Sequence, residues 1–208
     1  MRLVYWVSKW FKKRLGAAGL LGVLCAAMFG LQMGQPHYTN ASVPQRALGD
    51  PNLSLQFARG IDEIDAVLGD APSPDREVLR IKLYFDFAFI VSYVALFLAL
   101  AWPLMRMGGR VQIAGVAAAV CGVGAGVFDV LENLAQFRIL DVPLRRTTPA
   151  MINAIRSAAA AKWWLAALTL ALLGSYVSRP GRAARVGGAV SLGIAVLMAL
   201  GILYESFT

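Results

Sequence analysis

The chain has 208 residues, of which 58% are hydrophobic and 15% are charged, and its mean hydropathy is +0.61. A soluble globular domain is nearer half apolar and a quarter charged, so this composition indicates a membrane protein. The net charge of +8 could suggest nucleic-acid binding, but the basic residues are split among short segments between apolar runs. They cannot form one basic face, so we expect no nucleic-acid partner.

Cysteine and histidine usage limits the redox and metal chemistry of the chain. Cys25 and Cys121 both lie inside apolar runs and form no CxxC motif, so we infer neither a redox pair nor a metal site. His37 is the single histidine, which argues against a multi-histidine metal centre. The sequence indicates no particular cofactor.

Five apolar stretches are long enough to cross a bilayer, whose core of ~30 Å needs about 20 apolar helical residues. They are 15–34, 83–102, 111–131, 160–178 and 186–204. The sequence therefore predicts an all-α fold, a polytopic membrane helix bundle of about five transmembrane helices. Residues 1–208 would form a single membrane domain.

The first stretch, 15–34, follows a basic segment, which is also typical of a signal peptide. The apolar run is long for a signal peptide, and no clear cleavage site follows it. Leu24 precedes Cys25, where a lipoprotein signal would have a small residue. We therefore favour an uncleaved membrane anchor, with a cleaved signal as the alternative.

Segment 35–82 is the one sizeable soluble piece. Asp50-Pro51 predicts a helix start with proline at its first position. Apolar residues then recur at helical spacing as far as Gly69. These residues are Leu53, Phe57, Ile61, Ile64 and Leu68. We expect an extracytoplasmic amphipathic helix that lies on the membrane surface or caps the bundle.

Two further proline-containing pairs predict helix starts outside the bilayer. Ser73-Pro74 predicts a helix that runs unbroken to Trp102 and stops before Pro103. Thr148-Pro149 predicts a helix start leading toward Ala158. The second apolar stretch would thus begin as a helix outside the membrane.

The placement of charges predicts the topology. If the N-terminus is inside, the cytoplasmic segments are 1–14, 106–110 and 179–185, which hold ten Lys or Arg and no acid. The other ten basic residues and all twelve acids then lie in exterior segments or at outer helix ends. The positive-inside rule predicts a cytoplasmic N-terminus and an extracytoplasmic C-terminus. The Ala, Gly and Arg content favours a bacterial inner membrane as the location.

Two carboxylates inside apolar helices are the sharpest functional signal, because burying charge in a membrane is costly. Asp86 lies in the second stretch and Asp129 near the outer end of the third. In the predicted hairpin, Asp86 precedes the loop centre Gly108 by 22 residues and Asp129 follows it by 21. The hairpin therefore predicts nearly the same depth for both, close to the outer headgroups.

Helical spacing predicts which way these groups point. Asp129, Glu132 and Asn133 are spaced i, i+3, i+4 and share one helix face. That face continues inward through Gly126 and Gly122, and small residues are typical of a face approached closely by another helix. We expect Asp129 to point into the bundle.

A ligand-binding cluster is the resulting hypothesis. Tyr93 lies on the same stripe as Asp86, and Lys162 begins the fourth stretch at a comparable depth. The proposed ligand-binding residues are Asp86, Tyr93, Asp129, Glu132, Asn133 and Lys162. In one alternative interpretation Asp86 and Lys162 form an ion pair that fixes packing, while Glu132 and Asn133 are solvated at the helix end. In another, these residues are interface residues exposed to lipid.

Three functions remain open from the sequence, and catalysis is undecided because no nucleophile has a base nearby. The first is a non-enzymatic accessory or partner-binding subunit. The second is a lipid- or isoprenoid-acting enzyme or carrier that uses Asp86, Asp129 and Glu132. The third is an ion- or proton-coupled transporter. The expected partners are the lipid bilayer, a membrane lipid ligand, and a protein partner or a second copy of the chain.

Overall fold

The computed structural model describes residues 20–28, 30, 38 and 51–177 of the chain. These residues form helices and connecting segments, and none of them lies in a strand. Residues 20–28 are helical and fall within the predicted first stretch. The predicted fifth stretch, 186–204, lies outside the described residues.

Five helices and one 3-10 turn follow in chain order. They are α1 (Pro51–Gln56), α2 (Ile61–Leu68), α3 (Pro74–Met105), α4 (Gly109–Leu140), the 3-10 turn Leu144–Arg146 and α5 (Pro149–Val177). Three helices, α3, α4 and α5, are long and apolar enough to cross a membrane, as expected of an all-α membrane protein. Helices α3 and α4 have 32 residues each. At ~1.5 Å per residue each is longer than a bilayer core is thick.

Helix α3 begins where the sequence predicts and ends later. Ser73 is the N-cap, and its side chain accepts a hydrogen bond of 3.2 Å from the backbone N–H of Asp75. The prediction that the helix stops before Pro103 was wrong, because it continues to Met105. Pro103 has no N–H to donate to the carbonyl of Ala99, yet the helix continues past it, and the N–H of Arg106 bonds the Pro103 carbonyl at 3.2 Å where the helix ends.

The predicted amphipathic helix of segment 35–82 was wrong as a single element, because α1 and α2 are separate. Gly60 is the N-cap of α2 and has an extended backbone, with φ of −147° and ψ of 170°. The Glu63 carboxylate accepts a 3.0 Å hydrogen bond from the N–H of Arg59, which satisfies a backbone donor freed by the break. Glycine weakens a helix interior, so the break occurs there.

The three long helices pack with α4 in the middle. Arg106, Met107 and Gly108 join α3 to α4 as a hairpin, and we call this the hairpin end. Helix α4 packs along both α3 and α5, whereas α3 and α5 touch each other little. Helix α5 begins at Pro149 as predicted and runs without a break to Val177, within the fourth stretch.

Small residues on α4 allow α3 to approach closely. A Cβ atom on Gly115 would lie 2.6 Å from the backbone nitrogen of Met105. One on Gly122 would lie 2.9 Å from the Cβ of Phe97, and one on Gly126 would lie 2.5 Å from a methyl group of Val94. The predicted small-residue face of α4 at Gly122 and Gly126 therefore packs closely against side chains of α3, and Gly115 packs against its backbone.

Helices α1 and α2, which we call the cap, cover the opposite end of the bundle, the cap end. Their apolar side chains share one core with the ends of α3, α4 and α5. The core includes Leu55, Ile64, Val67, Leu68, Leu79, Leu83, Ile139, Leu140, Ile152 and Ile155. Trp163 of α5 also donates a 3.0 Å hydrogen bond from its indole nitrogen to Gln56 of α1.

Candidate functional site

Lys162 lies at the centre of a buried polar cluster between the long helices. Its ammonium nitrogen is 2.7 Å from Asp129 Oδ1 and 2.7 Å from Glu132 Oε2. Asp129 and Glu132 point the same way because they are three residues apart on α4. The three side chains are only 10%, 6% and 1% exposed, so this bridge between α4 and α5 is closed off from solvent.

Tyr93 joins helix α3 to the same cluster. Its hydroxyl donates a 2.9 Å hydrogen bond to Asp129 Oδ2. The phenol ring is held edge-on between Phe89 and Phe97, with ring centroids 5.4 Å and 5.6 Å away. Both oxygens of Asp129 are therefore occupied, one by a partner on α5 and one by a partner on α3.

Asp86 and Asn133 form a second contact between α3 and α4. The Asn133 amide donates a 2.8 Å hydrogen bond to Asp86 Oδ2. Asp86 is thus level with Asn133, four residues or ~6 Å along α4 from Asp129 toward the cap end. Asp86 and Asp129 were predicted to lie at equal depth, but they differ by about one helical turn. The prediction took Gly108 as the centre of the hairpin, whereas Asp86 and Asn133, which are level with each other, are equidistant from a point beyond Gly108.

Gln136 is a member of the cluster that the sequence analysis missed. Its amide donates a 2.6 Å hydrogen bond to Glu132 Oε1, and the residue is 5% exposed. Its position four residues after Glu132 on the same helix face was the available signal. Gln136 therefore bonds Glu132 Oε1, while Oε2 lies 2.7 Å from the Lys162 ammonium as an ion pair without a hydrogen bond.

The structure brings all six predicted site residues together. It differs from the first alternative interpretation in the partners of Lys162 and in the burial of Glu132 and Asn133. Lys162 has Asp129 and Glu132, rather than Asp86, at ion-pair distance. Glu132 and Asn133 are 0% and 2% exposed, so the alternative in which they are solvated at the helix end was wrong. Buried charges are stable only when they are paired and hydrogen-bonded, and this cluster meets that condition for its ammonium group.

Asp86 differs from the other two carboxylates of the cluster in its exposure. Asp129 and Glu132 share the Lys162 ammonium, whereas Asp86 accepts a hydrogen bond from Asn133 and is half-buried rather than fully enclosed. Asp86 is therefore the carboxylate of the cluster that a ligand would reach most easily.

A groove of about 660 Å³ lies away from the cluster, at the cap end. Residues 71–74, Arg76 and Glu77 form one wall, and Leu140, Asp141 and Pro143 form the other. None of these residues belongs to the polar cluster. A second cavity of about 10 Å³ lies beneath the cap and has room for one water molecule at most.

Arg76 at this groove is a buried guanidinium that the sequence analysis also missed. It is 3% exposed, and its Nη1 donates to three carbonyl oxygens at the end of α4. These acceptors are Ile139 at 2.9 Å, Leu140 at 3.2 Å and Val142 at 2.9 Å. The last carbonyls of a helix have no partner within it, so Arg76 supplies them from another helix.

Asp70 fixes the connection between α4 and α5 beside the groove. Its Oδ1 accepts hydrogen bonds from the backbone N–H of Leu144 at 2.9 Å and of Ala71 at 2.8 Å. These two bonds stabilise the charged form and lower the pKa of the Asp70 carboxyl below its ordinary value. Asp70 is exposed, so the effect comes from these bonds and not from burial.

The other chemically notable residues give no further site. Within 51–177 and the short described segments before it, no three His, Cys, Asp or Glu side chains are placed to hold a metal ion. Cys25 and Cys121 are free thiols and are partly buried. His37 lies outside the described residues.

Comparison of the chain with protein-family models, with curated protein sequences and with solved structures gave no match.

Proposed function

We propose that this chain is a non-enzymatic membrane protein, an accessory or partner-binding subunit. In this proposal the polar cluster fastens the long helices together, and the cap end presents the surface that contacts a partner. One observation carries the proposal: the charged groups at the centre of the cluster are already bound by one another. Asp129, Glu132 and Lys162 form a closed bridge.

The physical basis is the weakness of apolar association inside a bilayer. Lipid tails are as apolar as leucine, so helices in a membrane are held by close packing and interhelical hydrogen bonds. Lys162 links α5 to α4, while Tyr93 and Asn133 link α3 to α4. These bonds specify which faces meet.

Occupied oxygens also disfavour catalysis at this cluster. A general acid or base must come within hydrogen-bonding distance of its substrate. Asp129 already has a partner on each oxygen, and Glu132 is fully enclosed. A substrate would have to displace Lys162 or Tyr93 first.

The proposed topology places the cap outside the cell and the N-terminus in the cytoplasm of a bacterium. At the hairpin end the described charges are the basic residues Arg106 and Arg110. The acids of the described residues lie within the cap, along its connections or in the cap-end half of the helices. The hairpin loop is short, basic and without an acid, as is typical of a cytoplasmic loop, whereas the cap end carries both basic and acidic residues.

A second candidate is a lipid- or isoprenoid-acting membrane enzyme or carrier. It is favoured by the grouping of three carboxylates, Asp86, Asp129 and Glu132, and by the partial exposure of Asp86. An ion- or proton-coupled transporter would use the same carboxylates. Both require that the cluster open to a ligand.

The test asks whether the polar cluster only holds the long helices together or also binds a ligand. Asp86→Asn, Asp129→Asn and the double variant are compared for thermal unfolding in detergent and for rescue of a strain that lacks the protein. We expect Asp129→Asn to lower stability, with rescue falling only as the amount of folded protein falls. A variant that folds with the stability of the wild type but fails to rescue would overturn the proposal. Asp62→Asn is the matched control, because Asp62 is exposed on α2 and lines neither the cluster nor the groove.

The partner surface is tested separately with a photo-crosslinking residue in place of Glu77 at the groove. The same residue in place of the exposed Met107 at the hairpin end is the control. We expect the groove position to give one discrete crosslinked protein that the control lacks. Identical patterns from both positions would contradict a partner at the groove.

A further inference from the structure

Four arginines flank the connection between α4 and α5. They are Arg138 near the end of α4, Arg145 and Arg146 in the 3-10 turn, and Arg156 in α5. Arg138, Arg145 and Arg146 are exposed, and Arg156 is half-buried. We call these four residues the arginine rim.

The arginine rim has no neutralising partner within the described chain. None of its guanidinium groups forms an ion pair with a described carboxylate. Asp141 lies in the same connection, but Arg80 binds it at 3.0 Å. Asp70 is influenced by the charge of Arg145, yet its Oδ1 is held by two backbone N–H groups.

The depth of Arg138 follows from the face of α4 on which it lies. Val127, Leu131 and Leu134 on that face are 52%, 48% and 48% exposed, and Arg138 comes four residues after Leu134. An apolar face exposed along a membrane-spanning helix meets lipid. A basic residue one turn beyond such a face lies at the level of the lipid headgroups.

The pairing of Lys162 with Asp129 places the other helix at a similar level. Arg156 precedes Lys162 by six residues, and Arg138 follows Asp129 by nine. At ~1.5 Å per residue these arginines lie ~9 Å and ~14 Å beyond the cluster toward the cap end. The two helices thus bring their arginines to nearly the same layer, with Arg145 and Arg146 in the segment that joins them.

We propose that the arginine rim binds the phosphate groups of anionic phospholipids in the leaflet at the cap end. The planar guanidinium fork matches phosphate oxygens in a bidentate way. An acidic protein would supply the same charge, but the lipid-facing position of Arg138 favours a lipid. This inference does not depend on the accessory function proposed above, because it uses only the spanning helices and their charges.

The experiment measures lipid binding to the full-length protein in detergent by native mass spectrometry. Phosphatidylglycerol and phosphatidylcholine with identical acyl chains are titrated separately. We expect the wild type to prefer phosphatidylglycerol. We expect each exposed arginine of the rim, when replaced by glutamine, to lower the affinity for phosphatidylglycerol about five-fold, the effect of one basic residue near an anionic surface.

The main variant is Arg138→Gln/Arg145→Gln/Arg146→Gln, with the corresponding triple lysine variant beside it. The glutamine variant should lose the preference for phosphatidylglycerol, and the lysine variant should keep most of it because it keeps the charge. Arg110→Gln is the matched control, since it removes an exposed arginine at the opposite end of α4. If the triple glutamine variant unfolds at a lower temperature than the wild type, Arg138→Gln alone decides the test.

Several outcomes would overturn the proposal. They are equal binding of both lipids by the wild type, an unchanged preference in the glutamine variant, or an equal loss in Arg110→Gln. Displacement of the lipid by excess glycerol 3-phosphate would indicate a site for a soluble phosphate instead. Binding of a soluble hexaglutamate peptide without any lipid preference would indicate an acidic protein partner.

Discussion

The polar cluster and the cap core are both buried, but they are built from different residues. In the cap core, branched aliphatic side chains such as Ile64, Val67 and Ile155 are 1%, 0% and 2% exposed. In the cluster, the fully enclosed side chains are Glu132 and Asn133, at 0% and 2%. The same degree of burial is therefore reached with apolar groups in one region and with charged and amide groups in the other.

The difference reflects the solvent that each region would otherwise meet. The cap lies beyond the apolar helix segments, where water drives apolar side chains together. Between membrane helices that driving force is absent. Close contact at glycines and interhelical hydrogen bonds must therefore hold the helices together instead. Arg76 is the exception in the cap region, because it satisfies helix-end carbonyls that apolar groups could not.

The largest expected effect comes from removing the cation of the cluster. Lys162→Met leaves Asp129 and Glu132 buried beside each other without their shared partner. We expect a loss of about 3–5 kcal/mol in the free energy of unfolding, as for other buried pairs broken on one side. Thermal or denaturant unfolding in detergent measures it.

A compensated variant sharpens this prediction. Asp129→Asn/Glu132→Gln/Lys162→Met removes the charges together and should recover most of the lost stability. If the compensated variant is as unstable as Lys162→Met alone, the pairing of charges is not the way in which the cluster stabilises the protein.

The second effect comes from removing Arg76, the buried polar residue near the apolar core of the cap. Arg76→Met would leave the buried carbonyls of Ile139 and Leu140 without their donor. We expect a loss of about 3 kcal/mol, the order expected when buried acceptors lose a charged donor. Faster hydrogen exchange at the end of α4 should accompany the loss of stability.

Arg80→Met is the control for this position. Arg80 makes ion pairs with Glu77 and Asp141, which are 67% and 66% exposed. Such surface pairs contribute about 1 kcal/mol or less. Equal losses in the two arginine variants would show that burial of Arg76 adds nothing.

The third effect tests close packing between the membrane helices. Gly115→Ala would place a methyl group 2.6 Å from the Met105 backbone nitrogen, and backbone cannot move aside as a side chain can. We expect a loss of about 2 kcal/mol, typical of overpacking. Gly124→Ala, whose Cβ would meet only a terminal methyl group of Leu165 at 3.1 Å, should change stability much less.

The smallest effect concerns pH at the exposed cap end. Since the pKa of Asp70 is lowered below its ordinary value of 3.8, its contribution to stability is present above that pH and is lost as the pH falls below it. Asp70→Asn should therefore unfold slightly below the wild-type temperature at pH 6, with the gap closing toward pH 3. A gap that widens in acid would contradict the role of the two backbone N–H donors.

Local patterns in the sequence were enough to determine the class of the fold and several helix starts. The long apolar stretches predicted α3, α4 and most of α5, and Ser73-Pro74 and Thr148-Pro149 predicted where two of them begin. These features depend on side-chain polarity and on backbone geometry within a few residues. Gly60 followed by Glu63 was also a local signal for the break between α1 and α2, and it was overlooked.

Helical spacing also predicted which side chains would share a face, and so it predicted the members of the cluster. Helical spacing could not predict which carboxylates would form ion pairs with Lys162, because that depends on the register in which α5 packs along α4. The close approach at Gly122 and Gly126 sets the register of α3 on α4 and shifts Asp86 by a turn relative to Asp129.

Arg76 shows most clearly what the tertiary structure alone decided. Its carbonyl partners on and after α4 lie 63 to 66 residues away along the chain. Nothing near Arg76 in the sequence distinguishes it from the partly exposed Arg80, four residues later. Its burial arises because the end of α4 reaches the start of α3 with carbonyl groups that no helix can satisfy for itself.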